Sequence, residues 1–220
     1  AYAGYLSLLP DNCTLVGYNA GGSGVMTANA DGTTAVGMNA LANLTAGAGN
    51  TAIGFEALNG HTTGARNTVV GFEAMDDTGG ATVKDSNDNT FMGYHAGGGT
   101  WTTAVCQFNV GLGNFALDGA MNGANNNTAV GYGSLTKVTT GDSNVAVGSS
   151  SGLNITAGVQ NVIVGADSDI SDIDAGNEIV LGYGVTGQGS NKATIGNADI
   201  TDVYMASDSG ATVHCAGIQF

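Results

Sequence analysis

The chain has 220 residues, 38 of them glycine and one proline (Pro10), with 42% hydrophobic, 6% aromatic and 10% charged residues. Four Lys and Arg stand against 18 Asp and Glu, a net charge of −14, which excludes the basic footprint that nucleic-acid binding or attraction to an anionic membrane requires. Collagen is excluded by the missing Gly-X-Y triplet, a glycine-rich linker conflicts with the apolar fraction, and no apolar run reaches membrane-spanning length.

The first residues, Ala1-Tyr2-Ala3-Gly4-Tyr5-Leu6, lack Met and a charged leader, so the chain reads as processed or trimmed. From residue 14 onward a pentad recurs. Its clearest copies are Asn50-Thr-Ala-Ile-Gly54, Asn67-Thr-Val-Val-Gly71, Asn89-Thr-Phe-Met-Gly93, Asn127-Thr-Ala-Val-Gly131, Asn144-Val-Ala-Val-Gly148 and Asn161-Val-Ile-Val-Gly165. Weaker copies are centred on Gly17, Gly37, Gly111, Gly182 and Gly196. Successive register glycines are 20, 17, 17, 22, 18, 20, 17, 17, 17 and 14 residues apart. A fixed period of this length is the signature of a solenoid.

Each pentad predicts a short strand. The residue before the glycine is aliphatic or Met, from Val16 and Val36 through to Leu181 and Ile195. Two positions earlier lie Thr14, Thr34, Thr51, Thr68, Thr90, Phe108, Thr128, Val145, Val162, Ile179 and Ala193. These two slots share one strand face and the slot between them the other, because side chains alternate. Both faces are apolar, so both are expected to be covered. The Thr and aliphatic slots are assigned to the coil interior, and the small Ala and Val slot to lateral association with other copies.

After the glycine comes a large residue (Tyr18, Met38, Phe55, Phe72, Tyr94, Leu112, Tyr132, Tyr183), then a small one at +3 and Leu or Met at +4. A second glycine (Gly47, Gly64, Gly141, Gly158) precedes the next asparagine. Glycine and asparagine supply left-handed corners, and asparagines in phase can form ladders. The expected coil holds two short strands and two turns. Ten or eleven rungs at about 4.8 Å make a rod of roughly 50 Å.

These units resemble the head repeats of trimeric autotransporter adhesins. The 17-residue form, as in Asn127-Thr-Ala-Val-Gly131-Tyr-Gly-Ser-Leu135, is similar to repeats of phage and large-virus tail fibres. Lys192-Ala-Thr-Ile-Gly-Asn197 with Thr201-Asp-Val-Tyr-Met205 is similar to the segment preceding a chaperone domain in such fibres. The resemblance implies an all-β, left-handed parallel β-roll or β-solenoid assembled as an intimate homotrimer. Residues 1–189 would be the repeat region and 190–220 a C-terminal β segment continuing or capping the fibre. It implies a non-enzymatic, extracellular segment of a virion or bacterial surface, attaching to a host receptor or glycan. No cofactor, nucleic acid, membrane insertion or catalytic, cofactor-binding or metal residue is assigned.

Parts of the sequence also suggest other chemistries. Glu56 and Glu73 occupy one slot on consecutive rungs and could form a glycosidase pair, but read better as solvated turn residues. Asp76, Asp77, Asp85 and Asp88, and the run Asp167, Asp169, Asp172 and Asp174, are dense in oxygen ligands for calcium. They read first as solvated loops. The in-phase threonines suggest an ice-binding ladder, set aside because they are assigned to the interior. Insertions near 21–33, 76–88, 98–107 and 118–126 should bulge outward and carry binding. Trp101, with His95 nearby, would stack on a sugar or cap a neighbouring chain. Cys13, Cys106 and Cys215 are an odd, widely spaced set of free thiols, and His214-Cys215 lacks metal-binding partners.

Overall fold

The computed structural model describes residues 11–22, 26–78 and 85–203. Lys84, the segment beyond Val203 and the His214-Cys215 pair lie outside the described residues. The repeated pentads form β1 (Thr14–Val16), β2 (Thr34–Val36), β3 (Thr51–Ile53), β4 (Thr68–Val70), β5 (Thr90–Met92), β6 (Val110–Leu112), β7 (Thr128–Val130), β8 (Val145–Val147), β9 (Val162–Val164), β10 (Ile179–Leu181) and β11 (Ala193–Ile195). All eleven lie in one sheet in sequence order. Every neighbouring pair is parallel and in register, as in Thr51↔Thr68, Ala52↔Val69 and Ile53↔Val70. The chain is an all-β parallel solenoid of about 17-residue coils, with one short 3-10 turn at Ala28–Ala30. Among the described residues no helix is long and apolar enough to cross a membrane.

Each coil carries one strand, not two. The rest of the rung cannot extend, because it turns repeatedly through the left-handed region. Glu56, Glu73 and His95, two residues after the register glycine, have φ of 56°, 52° and 52°. Leu58, Met75 and Leu117, at +4, have 53°, 49° and 51°. Hydrogen bonds still link these irregular sides from rung to rung, as Glu56 N–H to Met38 O (2.9 Å) and Leu58 N–H to Ala74 O (3.0 Å).

The register glycines form a continuous stack. A Cβ on Gly71 would sit 2.1 Å from Gly93 O, and one on Gly54 2.1 Å from Gly71 O. At rung six the register differs from the sequence reading. Val110 pairs with Thr90 and Leu112 with Met92, so the register glycine is Gly113, not Gly111. Phe108 leaves the strand and is exposed with φ 59°.

Beside the strands runs an asparagine ladder. Asn67, Asn89, Asn109, Asn127, Asn144 and Asn161 each donate their backbone N–H and Nδ2 to Oδ1 of the previous asparagine, at 3.0–3.2 Å. Every Nδ2 also reaches a carbonyl across the coil, such as Asn109 to Ala124 O at 2.9 Å. These amides are buried, and burial is tolerated only because donors and acceptors are filled.

The assignment of strand faces is reversed. The middle residue points into the coil: Ala35, Ala52, Val69, Phe91, Ala129, Ala146, Ile163 and Val180 are fully buried. The reason is parity. The pentad asparagine is buried in its ladder (Asn50, Asn67, Asn127, Asn144), and side chains alternate along a strand, so the residue two positions after it also turns inward. The Thr and aliphatic slots therefore face outward.

Candidate functional site: an outward aliphatic face and an acid–histidine cluster

The outward face of the sheet carries two in-register columns. One is aliphatic along its whole length, and Val16, Ile53, Met92, Val164 and Ile195 are each 40–54% exposed. The other is Thr14, Thr34, Thr51, Thr68 and Thr90, then Val110, Thr128, Val145, Val162, Ile179 and Ala193. Since the strands rise only about 4.8 Å per rung, this is one flat apolar strip. Patches of such extent on a soluble chain mark interaction surfaces.

A third column adjoins it. Phe55 stacks on Phe72 (ring centroids 4.8 Å), Phe72 meets Tyr94 (5.8 Å), Tyr94 meets Phe115 edge-on (5.0 Å), and Phe115 meets Tyr132 (5.8 Å). These rings pack from rung to rung, yet Tyr18, Phe72, Tyr94 and Tyr132 remain exposed. Asn114, not Leu112, follows the register glycine on rung six, and Phe115 continues the column from the next position. A shallow depression of about 310 Å³ lies beside Phe115, Tyr132 and Leu153.

The insertions do not simply bulge. Met26, Trp101, Cys106 and Met121 all lie in the inserted stretches, yet they are buried in the core. Trp101 packs edge-on against Phe91 at 6.0 Å, so it neither projects toward a sugar nor caps another chain. Phe91 is the one aromatic in the middle slot. Gly111 on the next rung makes room for it, since a Cβ there would lie 2.5 Å from its ring.

Glu56 and Glu73 do stack on consecutive rungs. Glu56 accepts from Asn39 Nδ2 at 3.0 Å, continuing a column that starts with Asn19 and Asn39. Glu73 turns instead toward Asp76 and His95. The first aspartate group disperses. Asp77 accepts from Thr100 Oγ1 (2.5 Å), and Asp88 takes two bonds from Arg66 (2.6 and 2.7 Å) that hold its carboxyl below the usual range. Asp169 is half-buried and bonds Asn154 and Ile170 N–H, with burial raising its pKa. Asp174 accepts from Thr156. Among the described residues, the group whose ligand atoms converge is Glu73, Asp76 and His95, all within 4.8 Å of one another. In the sequence, His95 stands out only for its nearness to Trp101.

In comparisons with protein-family models, with curated proteins and with solved structures, nothing matches this chain.

Proposed function

We propose that the chain is a structural and adhesive fibre segment, a left-handed β-solenoid that assembles as a homotrimer at an extracellular surface. The observation that carries this reading is the outward aliphatic column, eleven rungs long and flanked by threonines and exposed aromatics. A closed assembly covers such a strip, and three copies around a shared axis are the arrangement implied by the resemblance to tail-fibre and autotransporter repeats. A viral or phage tail-fibre type is the first reading and a bacterial surface adhesin head the alternative. In both, the rod attaches to a host cell-surface glycan or protein. Light scattering on the purified chain should give three times 21.6 kDa; a monomer would refute the assembly. A glycan array tests the attachment role, and depolymerisation of a polysaccharide would overturn the non-enzymatic reading.

A second reading gains one observation. The threonines point outward, so the ground for setting aside an ice-binding ladder is gone. Against it, the partner column is wholly aliphatic and the Thr column is broken by Val110, Val145, Val162 and Ile179. Thermal hysteresis of the freezing point by a monomeric chain would favour that reading over the trimer.

A further inference from the structure

On the surface of rungs four to six, four residues from three consecutive turns meet because the repeat stacks their positions. Glu73 and His95 both lie two residues after a register glycine, and Asp76 and Asp118 both lie five residues after one. On the rung between, that fifth position is Gly98. A Cβ there would be 2.7 Å from His95 Nδ1 and 2.8 Å from its Cγ, so the absent side chain is the cradle in which the imidazole lies. His95 thereby spans from Asp118 on one side to Asp76 on the other.

We propose that Glu73, Asp76 and His95 form a binding site for a divalent first-row transition-metal ion of the zinc type.

The donor chemistry is one imidazole nitrogen and two carboxylates, a set suited to such ions. His95 Nδ1 lies 2.6 Å from Asp118 Oδ1. A carboxylate only accepts, so Nδ1 carries the proton and the Nε2 lone pair is directed away from Asp118. This carboxylate–imidazole pairing fixes the orientation and tautomer of the ring. Nε2 faces Asp76 Oδ1 at 3.8 Å, too long for a hydrogen bond. Two ligands on one zinc ion at tetrahedral angles stand about 3.3–3.6 Å apart, so little closure is needed. The rotatable arm of Glu73 supplies the remaining adjustment.

Among the described residues four buried side-chain atoms have no hydrogen-bond partner, and the one carboxylate oxygen of the four is Asp76 Oδ1. It is shut off from solvent and has no hydrogen-bond partner, a costly state for a carboxylate oxygen. A cation between Oδ1 and Nε2 would satisfy both atoms. Apart from the imidazole of His95 itself, no side-chain cation reaches Asp76: among the described residues, the ion pair involving Lys or Arg is Arg66 with Asp88. The side chains of His95 and Asp76 remain partly open, which leaves the ion a path in.

The test is calorimetric titration of the full chain, stripped with chelator, using zinc chloride, together with visible absorption of the Co²⁺ form. One ion per chain is expected. His95→Ala and Asp76→Asn should each weaken zinc binding at least thirtyfold. Asp118→Asn, which only positions the imidazole, should weaken it about tenfold or more. Gly98→Ala keeps every donor but displaces the ring, so it should also abolish tight binding. Glu56→Gln, one rung away and outside the set, should bind like the wild type. Circular dichroism and the melting temperature of each metal-free variant check folding, and zinc should raise the melting temperature of the wild type and of Glu56→Gln, raise that of Asp118→Asn less, and leave His95→Ala and Asp76→Asn unchanged. No zinc binding, binding undiminished in His95→Ala and Asp76→Asn, or a preference for Ca²⁺ over zinc would each overturn the site.

Discussion

At the scale of single residues, the fold rests on positions where only one side chain is tolerated. Gly71 and Gly184 both have positive φ, 151° and 61°, but a Cβ on Gly71 meets backbone 2.1 Å away while one on Gly184 meets nothing. Gly184→Ala should therefore cost about 1 kcal/mol, the backbone penalty alone. Gly71→Ala should cost about 3 kcal/mol or more, because a carbonyl of the next rung must move. Urea midpoints compare the two. His61 is the second such residue. It is buried, accepts from Asn67 Nδ2 at 3.2 Å and lies 3.3 Å from Thr78 Oγ1. Burial lowers its pKa to about 4. The unfolded chain, with an ordinary histidine near 6.5, then binds the proton first as pH falls. The stability that neutral His61 contributes is complete above about 6.5 and is lost between about 6.5 and 4, at about 1.4 kcal/mol per pH unit. Asp76 works in the opposite sense, since its raised pKa stabilises the fold as pH falls below about 6. The comparison that isolates His61 is with His61→Gln. Whatever stability gap separates the two proteins at pH 7 should shift against the wild type by about 3 kcal/mol at pH 4. A pH-independent gap would remove His61 as the cause.

At the scale of the rung, neighbours compensate for one another. Phe91 fills a slot that holds Ala in several other coils, and Gly111 above it gives up its side chain. Gly111→Ala should destabilise by about 2 kcal/mol through overpacking. In the Phe91→Leu background the same change should cost less than half as much, a coupling that a double-mutant cycle reads directly. The same pair explains where sequence reasoning slipped. Gly111 and Gly113 stand two apart, and either completes a pentad. Only Asn109, taking its place between Asn89 and Asn127, decides the register. The period, the glycine stack, the asparagine ladder and the aromatic posts were legible because each repeats in phase. The facing of the strand was not, because both faces are apolar and only the burial of the asparagine two residues before the middle slot decides which one turns inward. The acid–histidine cluster was legible only in fragments. Glu73, Asp76 and His95 each drew notice for a separate reason, but coils of 22 and 20 residues hide their vertical alignment, and the decisive gap at Gly98 is a missing atom.

At the scale of the molecule, the proposed assembly makes the outward strip its interface. Val147 and Val164 face outward on adjacent rungs, 38% and 42% exposed. Replacing both with Asp leaves the coil interior untouched but would bury two carboxylates in an assembled interface, where unpaired charge is strongly disfavoured. The double variant should keep its β-type circular dichroism and scatter light as a single chain while the wild type scatters as three. Retained trimers would mean that a different face mediates assembly.

The stack of register glycines has one more consequence. Each step of that stack meets the next in nearly the same way, so the top of any regular coil fits the bottom of any other. Length in such a rod is counted in whole steps. One duplicated 17-residue unit would carry the far end about 4.8 Å outward with no contact recut elsewhere. An insertion off the corners, even of one residue, would put a side chain where a neighbour's carbonyl already stands. The rod can thus serve as a ruler whose graduations are written in glycine.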